Sequence, residues 1–149
     1  MTTSINGSGG SGPAFDPCAL IAPELFEELV HRVGREQITS ERTAERIVSQ
    51  MIAFLKVCVD NPEERHAPSF QVGWAWRTFI LHTKEYAEFC SGFAGRFLHH
   101  DPADENPRDE AVLETAARMR TMGLPVDEEI WSPEGTPCFH DLHEECGDI

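Results

Sequence analysis

From Pro23 onward the apolar residues of the chain recur three and four positions apart rather than two, which is the period of a helix face. In PELFEELVHRVGRE, Leu25, Phe26, Leu29, Val30 and Val33 share one face, Pro23 suits a first turn and Glu24 complements its positive end. This predicts a helix over about 23–36. Ser40 offers a hydroxyl to an orphan backbone N–H and so caps a second helix, in which Ile47, Met51, Phe54, Leu55 and Cys58 recur at helical spacing up to about Val59. Pro62 cannot continue it, and residues 61–70 read as a polar loop.

Val72 to His82 is apolar on nearly every side, which suits a central buried helix. Strand is the rival reading for Trp74, Trp76, Phe79 and Ile80. Helix is preferred because Tyr86, Phe89, Cys90, Phe93 and Phe97 continue the register, with Thr83 restarting or capping the second part. Asn106, Pro107, Asp109 and Glu110 form a start signal for a further helix with Val112, Leu113, Ala116, Ala117 and Met119 on its apolar face. Arg118 and Arg120 fall in its last turn and Gly123 supplies a left-handed cap. One short turn around Ile130 and Trp131 follows, then an irregular tail.

No alternating run is long enough for a sheet, so the fold class expected is all-α, a single compact bundle of four to five helices with several antiparallel neighbours. Residues 1–15, rich in Gly and Ser, read as a disordered tail; 16–149 reads as the helical domain, with a Cys/His segment at 133–149.

Charge narrows the partners. The net charge is −14, and residues 101–149 hold fourteen acids against three arginines. Such a surface repels a polyphosphate, so no nucleic-acid partner is expected; the acidic excess reads first as plain solubility, with a basic protein partner or a hard cation as the alternative. No apolar run approaches the roughly 20 residues of a membrane span, and no basic flank and apolar stretch of a signal peptide is visible. A cytoplasmic location without a membrane is expected. Five cysteines are an odd number, so a complete disulfide framework is not expected and some thiols are free or metal-bound.

Cys138, His140, His143 and Cys146 stand within nine residues. Thiolate and imidazole are the donors zinc prefers, but four ligands on one short loop would strain it. A better shell takes two or three of them and is completed by His99 or His100, or by Cys90 or His82. The rival reading is an exposed acidic tail with incidental histidines. For His99 and His100 the alternative is a cationic cap at a helix C-terminus. His82 and Cys90 sit on apolar helices, where packing is commoner than reactivity.

The stretch ILHTKEYAEFCSGFAGRFLHHDP, with Val72, Trp76 and Phe79 before it, resembles a group of small bacterial proteins similar to the N-terminal part of glycine-rich domain-containing proteins. The matching residues are Val72, Trp76, Phe79, Ile80, Leu81, Thr83, Tyr86, Phe89, Cys90, Gly95, His99, His100 and Pro102. Gly73 and Arg77 depart from the pattern, where the resemblance implies aspartate and histidine. Arg77 is neither a base nor a ligand at ordinary pH, which implies a retained scaffold.

The function expected is a small helical metal-binding protein, zinc first, with Cys138, His140, His143, Cys146, His99 and His100 as candidate ligands. A metal-free acidic interaction module is the alternative. A small metalloenzyme with an open metal position is the third.

Overall fold

The computed structural model describes residues 15–101 and 107–133. Its described residues form an all-α fold without strands, in the order α1 (Pro23–Glu36), α2 (Glu41–Asp60), α3 (Phe70–Leu81), α4 (Thr83–Phe89), α5 (Asp109–Thr121) and α6 (Glu128–Trp131). A 3-10 turn, Pro17–Leu20, precedes α1, and a π turn, Cys90–Ala94, extends α4.

The capping chemistry explains most of the boundaries. Ser40 Oγ accepts from the Thr43 amide at 3.1 Å and starts α2 as its sequence position foretold. Ser69 Oγ does the same for the Val72 amide at 3.3 Å, which begins α3 two residues earlier than the apolar pattern suggested. α5 ends where Gly123 takes the left-handed conformation, with its basic residues Arg118 and Arg120 in the last turn. Its start lies later than the Asn-Pro signal implied: Arg108 is the extended N-cap residue, and Asp109 and Glu110 occupy the first turn.

The central element is α2, ten of whose residues are buried, including Phe54, Met51, Ile47 and Leu55 with no exposed surface. α1 and α3 pack along it, and α5, α6 and the 3-10 turn close the remaining sides. Full burial of each large apolar side chain is worth about 1.5–3 kcal/mol, so the aromatic and aliphatic set on α2 and α3 outweighs any surface pair. Aromatic rings run through this core: Phe54 meets Trp76 at 5.4 Å and Trp131 at 6.2 Å, and Phe79 meets Tyr86 at 4.9 Å and Phe89 at 5.3 Å.

α6, a single turn, is held to α2 by polar groups. Gln50 is buried; its Oε1 accepts from the Trp131 indole at 2.7 Å and the Asp127 amide at 3.1 Å, while its Nε2 donates to the Pro125 carbonyl at 3.2 Å. Outside this, Arg46 donates to both oxygens of Asp127 at 2.6 and 2.8 Å and to Glu129 at 2.7 Å. The guanidinium holds the Asp127 carboxyl below its ordinary pKa.

Candidate functional site

The helical register that carries Phe79 to Phe93 does not carry on to the histidines. α4 passes into the π turn at Cys90, the Gly95 amide closes it on the Cys90 carbonyl at 2.9 Å, and Gly95 itself adopts φ 73°. A left-handed residue ends a helix, and glycine takes that conformation without a Cβ penalty. His99 and His100 therefore lie in an irregular segment beyond the helix and not at its last turn, which removes the helix-dipole cap as their role.

A buried polar chain fixes that segment instead. The Trp76 indole donates to the Tyr86 hydroxyl at 2.9 Å, and the Tyr86 hydroxyl donates to the Leu98 carbonyl at 2.5 Å. The Leu98 amide in turn donates to Cys90 Sγ at 3.4 Å. Tyr86, Cys90 and Leu98 are each at most 3% exposed, so every link is shielded from competing water. Burial pushes the Tyr86 phenol well above its ordinary pKa and keeps it a donor. The Tyr86 ring also packs edge-on against Phe97 at 5.2 Å. Leu98 is thus clamped through both its backbone groups, and the two histidines that follow it leave the core from a fixed point.

Their rings diverge. His99 is exposed and lies 4.9 Å from the Phe97 ring, whereas His100 is half-buried and lies 4.6 Å from Trp76. Both line a pocket of about 240 Å³ together with Cys58, His66, Trp76 and Arg96. His66 was not foreseen as part of any site, since one histidine in a polar loop carries no periodic or motif signal. Its Nδ1 lies 3.1 Å from a guanidinium nitrogen of Arg118, which has no lone pair to accept with, so Nδ1 must be the acceptor. Its Nε2 then carries the hydrogen and donates to the Asn61 carbonyl at 2.9 Å. Both ring nitrogens of His66 are committed, and Arg118 is tied on its other side to Glu64 at 3.0 Å.

Cys58 in the pocket wall is a poor nucleophile. Burial pushes its thiol up to about 12, so the thiolate is scarce at neutral pH. Cys90 is spent on the Leu98 amide, and His82 Nδ1 lies 3.1 Å from the Thr78 carbonyl at the α3–α4 junction. Both fit the packed reading of the sequence. Of the two departures from the motif, Arg77 has a packing role and Gly73 has none. Arg77 stands over the Trp74 ring at 5.3 Å, and a Cβ at Gly73 would meet Pro68 at 3.4 Å, an ordinary contact.

Among the described residues no group of three or more His, Cys, Asp or Glu side chains converges on a point that would hold a metal. The histidine pair supplies at most part of a shell. Cys138, His140, His143 and Cys146 lie outside the described residues. No described helix is long and apolar enough to cross a membrane.

A family model described as UCP032817-like matches residues 20–130, a span that includes Trp76, Tyr86, Cys90, His99 and His100 and stops short of Cys138. Neither the curated proteins nor the solved structures compared with the chain gave a match.

Proposed function

The chain belongs to the UCP032817-like family, and from that premise we propose that it is a small helical metal-binding protein, zinc first, in which His99 or His100 meets donors from Cys138, His140, His143 and Cys146. The observation that carries the reading is the clamp on Leu98. A buried Trp76–Tyr86–Leu98–Cys90 chain is a costly way to hold a loop, and what it delivers is two adjacent imidazoles at a pocket mouth. Hydrogen bonds behind a ligand segment are how proteins orient metal-binding side chains.

Reach supports the same reading. The ring spacings from Trp131 to Phe54, Phe54 to Trp76 and Trp76 to His100 are 6.2, 5.4 and 4.6 Å, which cap the distance between the first and last rings at about 16 Å. Cys138 stands seven positions past Trp131, and at roughly 3.3 Å per residue that chain spans roughly 23 Å. A metal held this way would tie the Cys/His segment to the helices, and its binding free energy would become folding free energy. The resemblance over residues 72–102 to proteins similar to glycine-rich domain-containing proteins belongs to this reading, with its double histidine as the metal-facing element. A cytoplasmic setting accords with it, since Cys18, Cys58 and Cys90 are free thiols.

The test is elemental analysis of protein purified without a histidine tag, followed by zinc titration of the chelated form. Near one zinc per chain is expected. Losing both His99 and His100 to alanine should weaken binding at least about tenfold, as should serine at Cys138 and Cys146. A stoichiometry near zero, with no uptake on titration, would sink the reading in favour of the metal-free acidic module.

A further inference from the structure

Ile38 follows α1 in the left-handed conformation, with φ 52°. The Gln37 amide bonds back to Val33 and the Thr39 amide to Gly34, so Ile38 occupies the post-helix position that glycine fills most easily. A β-branched side chain there is strained. Packing offers nothing in return, because Ile38 is 77% exposed, more than any other large apolar residue described.

Gln37 donates to the Gln71 carbonyl at 3.2 Å, which sets Ile38 beside the first turn of α3. Along the outer side of α3, Trp74, Ile80 and Leu81 line an open groove of about 640 Å³ with Glu36, Arg77, Thr78 and His100, and Leu81 is 70% exposed. A strained exposed residue at one end of an exposed apolar helix side marks a surface built to be covered.

Charge selects the cover. The chain carries −14, yet α3 from Phe70 to Leu81 contains no Asp or Glu. Two copies of the chain repel one another least through this side. Glu36, the one carboxylate lining the groove, already accepts from the Trp74 indole at 3.1 Å and the Thr78 hydroxyl at 2.7 Å, and with Arg77 beside it the groove sets no net negative charge against a second copy. A basic partner finds its complement in the acidic last third of the chain, and an acidic partner is repelled by the whole molecule. We propose that the α3 face is a self-association surface, on which two copies meet across a two-fold axis with Ile38 and Leu81 of each covered by the other.

Sedimentation velocity on the full chain without a tag, from about 1 to about 200 µM and with a chelator present to remove metal bridging, tests this. The mass should rise with concentration from 16.7 kDa to twice that value. Leu81→Glu and Ile38→Asp should each weaken the dimer about tenfold or more, while Leu113→Glu, at a half-exposed site on α5, should leave it unchanged. Ile38→Gly separates strain from contact: it should raise the melting temperature of the monomer and still weaken the dimer. Circular dichroism confirms that each variant folds. A chain that stays monomeric to about 200 µM overturns the proposal. So does a dimer indifferent to Leu81→Glu and Ile38→Asp, or one lost equally with Leu113→Glu.

Discussion

Gln50 and Tyr86 do the same physical work in two parts of the molecule and deliver different things. Each is a buried polar side chain that takes an indole N–H, from Trp131 in one case and Trp76 in the other, and holds a non-helical segment by its backbone. The Gln50 clasp binds residues 125–127 and is reinforced from outside by the Arg46 ion pairs. What it secures is α6 and the burial of Trp131. The Tyr86 clasp is built from hydrogen bonds between buried groups and secures Leu98, beyond which stand two histidines. Phe54 touches both indoles, so the clasps share a core and differ in what they hold. The difference separates a device for stability from a device for presentation, and it can be tested as such.

The largest effect should come from Gln50→Leu. The Trp131 indole, the Asp127 amide and the Pro125 carbonyl would all lose their partner, for a cost of about 3 kcal/mol, since buried donors left unpaired cost more than the bond itself was worth. Denaturant unfolding should show it. Zinc affinity of the folded protein should fall less than with Tyr86→Phe, because the clasp bears on α6, from which the cysteine and histidine tail departs, while no link of it reaches His99 or His100. A large loss of affinity in a variant that still folds would erase the distinction between the clasps.

Tyr86→Phe should show the reverse balance. The ring and its packing against Phe79 and Phe97 remain, but the Trp76 indole and the Leu98 carbonyl lose the hydroxyl between them, at about 2 kcal/mol. Zinc affinity should fall about tenfold, the effect expected when the support behind a ligand is removed. If stability drops and affinity does not, the clamp is structural only and the metal reading loses its main support.

How far these features could be read from the sequence follows from their range along the chain. The first helix, the Ser40 cap and the Gly123 stop depend on residues within a few positions, and the 3.6-residue period exposes them. Phe93 and Phe97, four apart, continued the period past Gly95, so the histidines were placed at a helix end; only the left-handed conformation of Gly95 shows where the helix stops. Glycine at 92 and at 95 looks alike in sequence. The clasps were out of reach altogether, since Gln50 meets Trp131 across eighty-one positions and Trp76 meets Tyr86 by virtue of the turn at His82. The motif that included Trp76, Tyr86, Cys90 and the two histidines was visible as a pattern; its physical content, three residues anchoring the segment that carries the other two, came from the geometry.

The smallest effect, and the one that isolates the external reinforcement of the Gln50 clasp, is Asp127→Asn. The carboxyl is partly buried, with a side chain 21% exposed, and it takes two charge-assisted bonds from Arg46. Solvent reaches Arg46 and Glu129, so screening limits the loss to about 1 kcal/mol at neutral pH. The sign of its pH dependence is fixed. Asp127 has a folded pKa below its ordinary value of 3.8, chiefly because of the Arg46 hydrogen bonds, so its contribution is fully present above the unfolded value and is lost as the pH falls through the folded one. Wild type and variant should therefore unfold about 1 kcal/mol apart at neutral pH and converge only in acid below 3.8. A gap that closes instead between neutral pH and mild acid would assign the linkage to a histidine and detach the ion pair from the clasp. A constant gap into strong acid would show that the carboxylate's charge contributes nothing beyond its hydrogen bonds.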